Sequence, residues 1–107
     1  MNQDLQPLFR ALADTTRRQI LMRLSDHDMS IAEVAEQFDM SRTAVKKHLT
    51  ILQQGQLISI KQQGRESINS IEPENLKPVS EWINHFSHFW DERLHQLKQA
   101  IEQETGE

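Results

Sequence analysis

The sequence predicts a mainly α-helical domain that carries one small β-hairpin. Three observations lead to that class. Four stretches between residues 5 and 53 space their apolar residues as helices with one buried stripe do. Two of those helices are short and lie about three residues apart, the helix-turn-helix arrangement. After Gly55 the pattern changes to two short Ile-rich runs around a glycine, which reads as a hairpin.

The elements follow in order. "LQPLFRAL" sets Leu5, Leu8, Phe9 and Leu12 on one helical stripe. Asp14 is placed to cap a second helix, "TTRRQILMRLS", with Ile20, Leu21 and Leu24 facing inward. "SDHDM" reads as a connecting loop. Ser30 and Glu33 form a capping box ahead of Ile31, Val34, Ala35 and Phe38, and that helix stops at Asp39. Ser41 caps the next helix, which runs to about Gln53, so the helix-turn-helix spans about 30–53. "LISIKQ" and "ESINSI", joined by "QGR", make the hairpin of about 57–71 with Arg65 at its tip. "EPENLKP" is a further break, and one long helix is expected from about 76 to 104.

At 107 residues the chain is long enough for one domain with a modest core, spanning 1–107. With 36% hydrophobic and 6% aromatic residues, part of the apolar surface is expected to be completed by a partner subunit. The absence of cysteine excludes disulfides, thiolate metal sites and thiol redox switching. No secretory signal and no run approaching the roughly 18 apolar residues of a membrane span is visible, so a cytoplasmic protein without a membrane partner is expected. No Ser/His/Asp order, glycine-rich phosphate loop or paired carboxylates in a cleft points to an enzyme.

The charge is unevenly distributed. Lys and Arg number 12 against 16 Asp and Glu, yet residues 41–65 hold Arg42, Lys46, Lys47, Lys61 and Arg65 and no carboxylate. The remaining seven cations face all sixteen carboxylates, a net of −9. On a helical projection of 42–52, Val45, Leu49, Leu52, His48, Ala44 and Ile51 share one side. Arg42, Thr43, Lys46, Lys47 and Thr50 share the other, within about 140°. A merely solvated face would alternate signs, because opposite charges at i, i+4 stabilise a helix, whereas Arg42 and Lys46 repel at that spacing. The alternative is a helix that enters the major groove of double-stranded DNA. Arg42 then suits guanine O6 and N7, Thr43 a thymine methyl or a phosphate, Lys46 a base or the backbone, and Lys47 a phosphate. The amides near Ser41 would add a phosphate site, and Lys61 and Arg65 would reach an adjacent phosphate or the minor groove. A helix-turn-helix followed by a β-hairpin is the winged-helix plan.

From Leu8 to Leu97 the chain resembles the ArsR/SmtB family of bacterial winged-helix repressors. The likeness rests on "ALADTTRRQIL", on "SIAEVAEQFDMSRTAVKKHLTILQQGQLI" and on "QQGRE" as the wing. It implies a homodimer on a roughly palindromic operator, with one recognition helix per half-site. It also implies repression by blocking a promoter, often that of its own or a neighbouring operon. A small-molecule or protein inducer of unknown identity stands as a further partner, on which the sequence is silent. His48, in the family position, is expected to be structural or a backbone contact.

The last helix raises two further expectations. His85, His88, Glu92 and His95 share one polar stripe on a continuous helix, within about 80°. The resemblance implies a sensor site of Asp, His and Glu on that helix in some members, so a Zn²⁺-responsive repressor is one alternative. The main reading takes no cofactor and no metal. Trp82, Phe86, Phe89, Trp90, Leu94 and Leu97 form a wide apolar arc, joined by Val79, Ile83 and Ile101. Pairing of this arc with its copy, and with Leu5, Leu8 and Phe9, would make an antiparallel dimer bundle. Arg93 lies inside the arc and is expected to meet a carboxylate. A second alternative keeps the winged helix but uses it only as a protein-interaction module.

Overall fold

The computed structural model describes residues 4–105. Its contacts gather into two compact units, Met1–Leu76 and Lys77–Glu107, where the sequence suggested a single domain. The first unit contains α1 (Gln6–Leu12), α2 (Thr15–Asp26), β1 (Met29–Ser30), α3 (Ile31–Phe38), α4 (Arg42–Gln54), β2 (Ile58–Gln63) and β3 (Glu66–Ile71). A 3₁₀ turn, Pro73–Leu76, closes it. The second holds α5 (Lys77–Asn84) and α6 (Ser87–Thr105).

The helix starts follow the capping residues. Asp14 accepts from the Arg17 backbone N–H at 3.0 Å at the start of α2. Ser30 and Glu33 make both bonds of the capping box on α3, at 3.2 and 3.0 Å. Ser41 accepts from Ala44 N–H at 3.1 Å on α4. Helix α3 ends where Asp39 turns left-handed at φ 51°, and the Met40 N–H closes back onto the Ala35 carbonyl at 3.0 Å.

One apolar cluster fills the first unit. Ile20, Leu24, Met29, Val34, Val45, Leu49, Leu52 and Leu57 are fully buried, each burial stabilising by about 1.5–3 kcal/mol. Gly55 follows α4 at an ordinary φ of −78°, so its role is space rather than conformation. A Cβ there would lie 2.9 Å from the Pro7 carbonyl oxygen and 3.0 Å from Ala11 Cβ. Glycine is what lets α1 lie against the end of α4.

The sheet has the antiparallel order β1-β3-β2, with Met29 opposite Asn69 and Gln63 opposite Glu66. β1 joins Met29, the last residue of the stretch expected to be loop, to the capping residue Ser30. Helix α2 runs one residue past its expected end, taking up Asp26 of that stretch. Two residues carry no readable strand period, and what holds them is tertiary. Met29 is buried, and the buried Asn69 amide donates to its carbonyl at 3.1 Å.

The expected helix of 76–104 is two helices. At the break the His85 N–H bonds the Glu81 and Trp82 carbonyls, both at 3.2 Å, and Phe86 N–H bonds Ile83 at 3.0 Å. The i→i−3 bonds tighten the chain into a turn. Asn84 and Ser87, residues whose side chains compete with helical backbone bonding, flank it. Around the turn, Trp82 and Phe86 meet edge to face at 5.3 Å and Phe86 and Phe89 stack at 6.5 Å.

Candidate nucleic-acid interface

Helix α4 is divided as its sequence demands. Val45, Leu49 and Leu52 are buried, Ala44, His48 and Ile51 are half-buried, and Arg42, Thr43, Lys46, Lys47 and Thr50 are exposed. The buried edge anchors α4 to the other helices, so the cationic edge faces outward without any specific contact turning it.

The wing is set by its turn. Gly64 takes φ 63° in the two-residue connection Gly64–Arg65, an angle that strains any other residue. Behind the tip, Ser67 Oγ donates to Gln62 Oε1 at 2.9 Å, and the Gln62 amide donates to the Gly64 carbonyl at 3.3 Å. Arg65 therefore sits on a braced hairpin end.

Recognition helix and wing enclose a groove of about 320 Å³ lined by Ser30, Ile31, Ala32, Arg42, Thr43, Lys46, Arg65, Glu66 and Ser67. Of the eight residues expected to touch nucleic acid, the groove brings together Arg42, Thr43, Lys46 and Arg65. Ser41, Lys47, Thr50 and Lys61 are exposed outside its lining. Sequence reasoning missed the start of α3, and it missed Glu66, one position beyond the carboxylate-free window. The two-residue turn was the available signal for Glu66, since it puts the residue after Arg65 on the same hairpin end.

His48 has a structural place, in line with its expected role. Its Nδ1 lies 3.3 Å from Arg17 Nη1 and 3.9 Å from Asp14 Oδ2. Arginine only donates, so Nδ1 accepts and the ring proton is assigned to Nε2. The same guanidinium donates from Nε to the Ala11 carbonyl and from Nη2 to the Arg10 carbonyl, each at 2.9 Å. Arg18 donates to the Leu12 carbonyl at 2.6 Å. The paired arginines thus satisfy the carbonyl end of α1, and Arg17 ties it to α4. The Arg17 N–H holds the Asp14 carboxyl below its ordinary range, helped by the charge of Arg17. The Ser30 backbone N–H does the same for Glu33, with the Ser30 hydroxyl adding to it.

In the second unit, His85 lies in the turn between α5 and α6, while His88, Glu92 and His95 lie on α6. The break takes His85 off the continuous stripe. His85 packs edge-on against Phe86 at 5.1 Å and His88 lies 4.0 Å from the Phe89 ring. Among the described residues, no group of three or more His, Asp or Glu is placed to hold a metal ion. A groove of about 680 Å³ is lined by Trp82, Ile83, Phe86, Phe89, Trp90 and Arg93. Phe89, Trp90, Leu94 and Leu97 are each more than half exposed. Leu5, the N-cap of α1, and Phe9 within it are half-buried, but Leu8 is only 6% exposed. Leu8 is taken up by its own core and is not part of a surface a second copy can cover.

A helix-turn-helix with a braced wing and a cationic groove between them defines a winged-helix DNA-binding regulator. Residues 14–59 match the family model for bacterial regulatory proteins of the arsR family. The chain is 33% identical over 87 residues to the transcriptional repressor SdpR of Bacillus subtilis, covering 81% of this chain and 97% of that one. It is 30% identical over 96 residues to the HTH-type transcriptional regulator Rv2034 of Mycobacterium tuberculosis, covering 90% and 87%. Among solved structures, an ArsR-like transcriptional regulator from Rhodococcus sp. RHA1 superposes with a TM-score of 0.70 at 33% identity, over 90% of this chain and 91% of that one. The chain belongs to the ArsR family. It is a DNA-binding transcriptional regulator, a non-enzymatic class, and lacks the cysteine that thiolate sensing requires. Among the described residues, no helix is long and apolar enough to cross a membrane.

Proposed function

We propose that the protein is a homodimeric repressor that binds a palindromic operator of its own or a neighbouring operon in the cytoplasm. The observation that carries the reading is the convergence of Arg42, Thr43, Lys46 and Arg65 on one groove of an otherwise acidic chain. In it, α4 enters the major groove, and Arg42 and Lys46 reach base edges or the adjoining backbone. Ser41, Lys47, Thr50 and Lys61, outside the groove lining, contact phosphates on either side. Repression is supported by the name of the Bacillus subtilis relative, a transcriptional repressor. Dimerisation is supported by the exposed apolar residues of α5 and α6. An inducer, small molecule or protein, acts on the dimer bundle.

The test is selection of bound fragments from random DNA, followed by affinity against salt. With three or four phosphate contacts per protomer, log affinity falls with log salt at a slope of about −5 to −7. Lys47→Ala lowers affinity for all sequences alike, whereas Arg42→Ala relaxes base preference at one position per half-site and costs about 1–3 kcal/mol. A flat salt response to the selected operator counts against the reading.

A further inference from the structure

Three of the charged residues lining the groove are cations, Arg42, Lys46 and Arg65; the fourth is the carboxylate of Glu66. Its presence needs a reason. A carboxylate beside a phosphate repels it, so in a surface used only to hold the DNA backbone Glu66 weakens every complex. Nor does it serve as a brace for the cations. Among the described residues it makes no ion pair with any of them. Its backbone is well placed all the same. Glu66 opens β3 opposite Gln63, directly after the Gly64–Arg65 turn, and the Gln62–Ser67 bond braces the next pair.

An ionised carboxylate only accepts hydrogen bonds. In the major groove the donors on base edges are the exocyclic amines, N4 of cytosine and N6 of adenine; guanine O6 and N7 and thymine O4 are acceptors. Arg42 and Lys46 only donate. A lining with donors on α4 and one acceptor on the wing is complementary to a step that presents guanine acceptors beside a cytosine amine.

We infer that Glu66 is a specificity-determining residue: it selects an exocyclic amine, cytosine N4 foremost, next to the base read from the start of α4. It also repels phosphate from the same groove. Direct pairing favours the cognate step, and repulsion disfavours complexes that seat the backbone there, so one side chain acts on both sides of the discrimination. The inference rests on the DNA-binding reading of this groove.

The experiment measures the affinity of the full chain, and of Glu66→Ala and Glu66→Gln, for the selected operator, for every single-base variant of it, and for random duplex. Glu66 is exposed, and melting curves check that each variant keeps its fold. In the wild type, one position per half-site prefers cytosine by about tenfold. In Glu66→Ala that preference drops below about twofold while the other positions hold, and affinity for random duplex rises a fewfold. In Glu66→Gln the preference moves toward adenine, whose N6 and N7 suit an amide. If both variants bind every sequence more tightly by one common factor, with an unchanged base profile, the carboxylate acts through charge alone and the inference fails. If the wild type shows no base preference at any position, the DNA-binding reading fails first and takes this inference with it.

Discussion

Arg17 does more for this fold than its position in an apparently ordinary helix suggests. Three of its side-chain nitrogens reach two carbonyls of α1 and the His48 ring, while its backbone N–H meets Asp14. Arg17→Ala therefore leaves the Ala11 carbonyl and an imidazole nitrogen without their donor, and should lower stability by about 2 kcal/mol in denaturant unfolding. Arg17→Lys recovers little of this, because an ammonium cannot supply the fork. The two lowered carboxyls, Asp14 and Glu33, make a separate prediction about acid. A carboxyl whose folded pKa lies below its unfolded one stabilises the fold fully above the unfolded value, and that contribution disappears as pH falls through the folded one. The Asp14 and Glu33 contributions are thus intact above about pH 4.5 and vanish below it. Melting curves from pH 7 to 3 should show Asp14→Asn with Glu33→Gln starting less stable and losing less on acidification. An acid limb as steep as that of the wild type would contradict this.

At the level of elements, the contact of α1 with α4 passes through Gly55, which is small for space and not for φ. Gly55→Ala should destabilise by about 1–3 kcal/mol through overpacking against Pro7 and Ala11, read as a lower midpoint in urea with an unchanged slope. Elements of this kind mark where the sequence could be read and where it could not. Caps and helical periods are local chemistry, so α2, α3, α4 and the hairpin appear within a residue or two of their expected bounds. β1 is held by Asn69, forty residues away, and no local pattern announces it. The break at His85–Phe86 arises from two residues that tilt the balance at one turn, inside a pattern whose apolar period continues across it. In the interface, the cationic edge of α4 was legible because one helix carries it. Ser30, Ile31, Ala32 and Glu66 joined the groove only when folding brought other elements beside α4.

For the molecule as a whole, the unanswered demand is the apolar face of the second unit. Leu94 is 64% exposed and Leu97 58%, so within one chain neither is needed for packing. If the proposed dimer forms through this face, Leu94→Glu should leave the melting of a dilute monomer nearly unchanged, yet shift sedimentation from dimer to monomer and abolish tight operator binding. Unchanged sedimentation would place the subunit contact elsewhere. The three-stranded sheet carries a consequence for the DNA as well. β1 runs straight into α3 and is laddered to β3, so backbone hydrogen bonds link the wing to the helix-turn-helix. On the proposed DNA-binding reading, that link ties the spacing of wing and recognition helix to the sheet, and the duplex adjusts to it. Sites rich in pliable pyrimidine–purine steps will then be favoured at positions no side chain reaches.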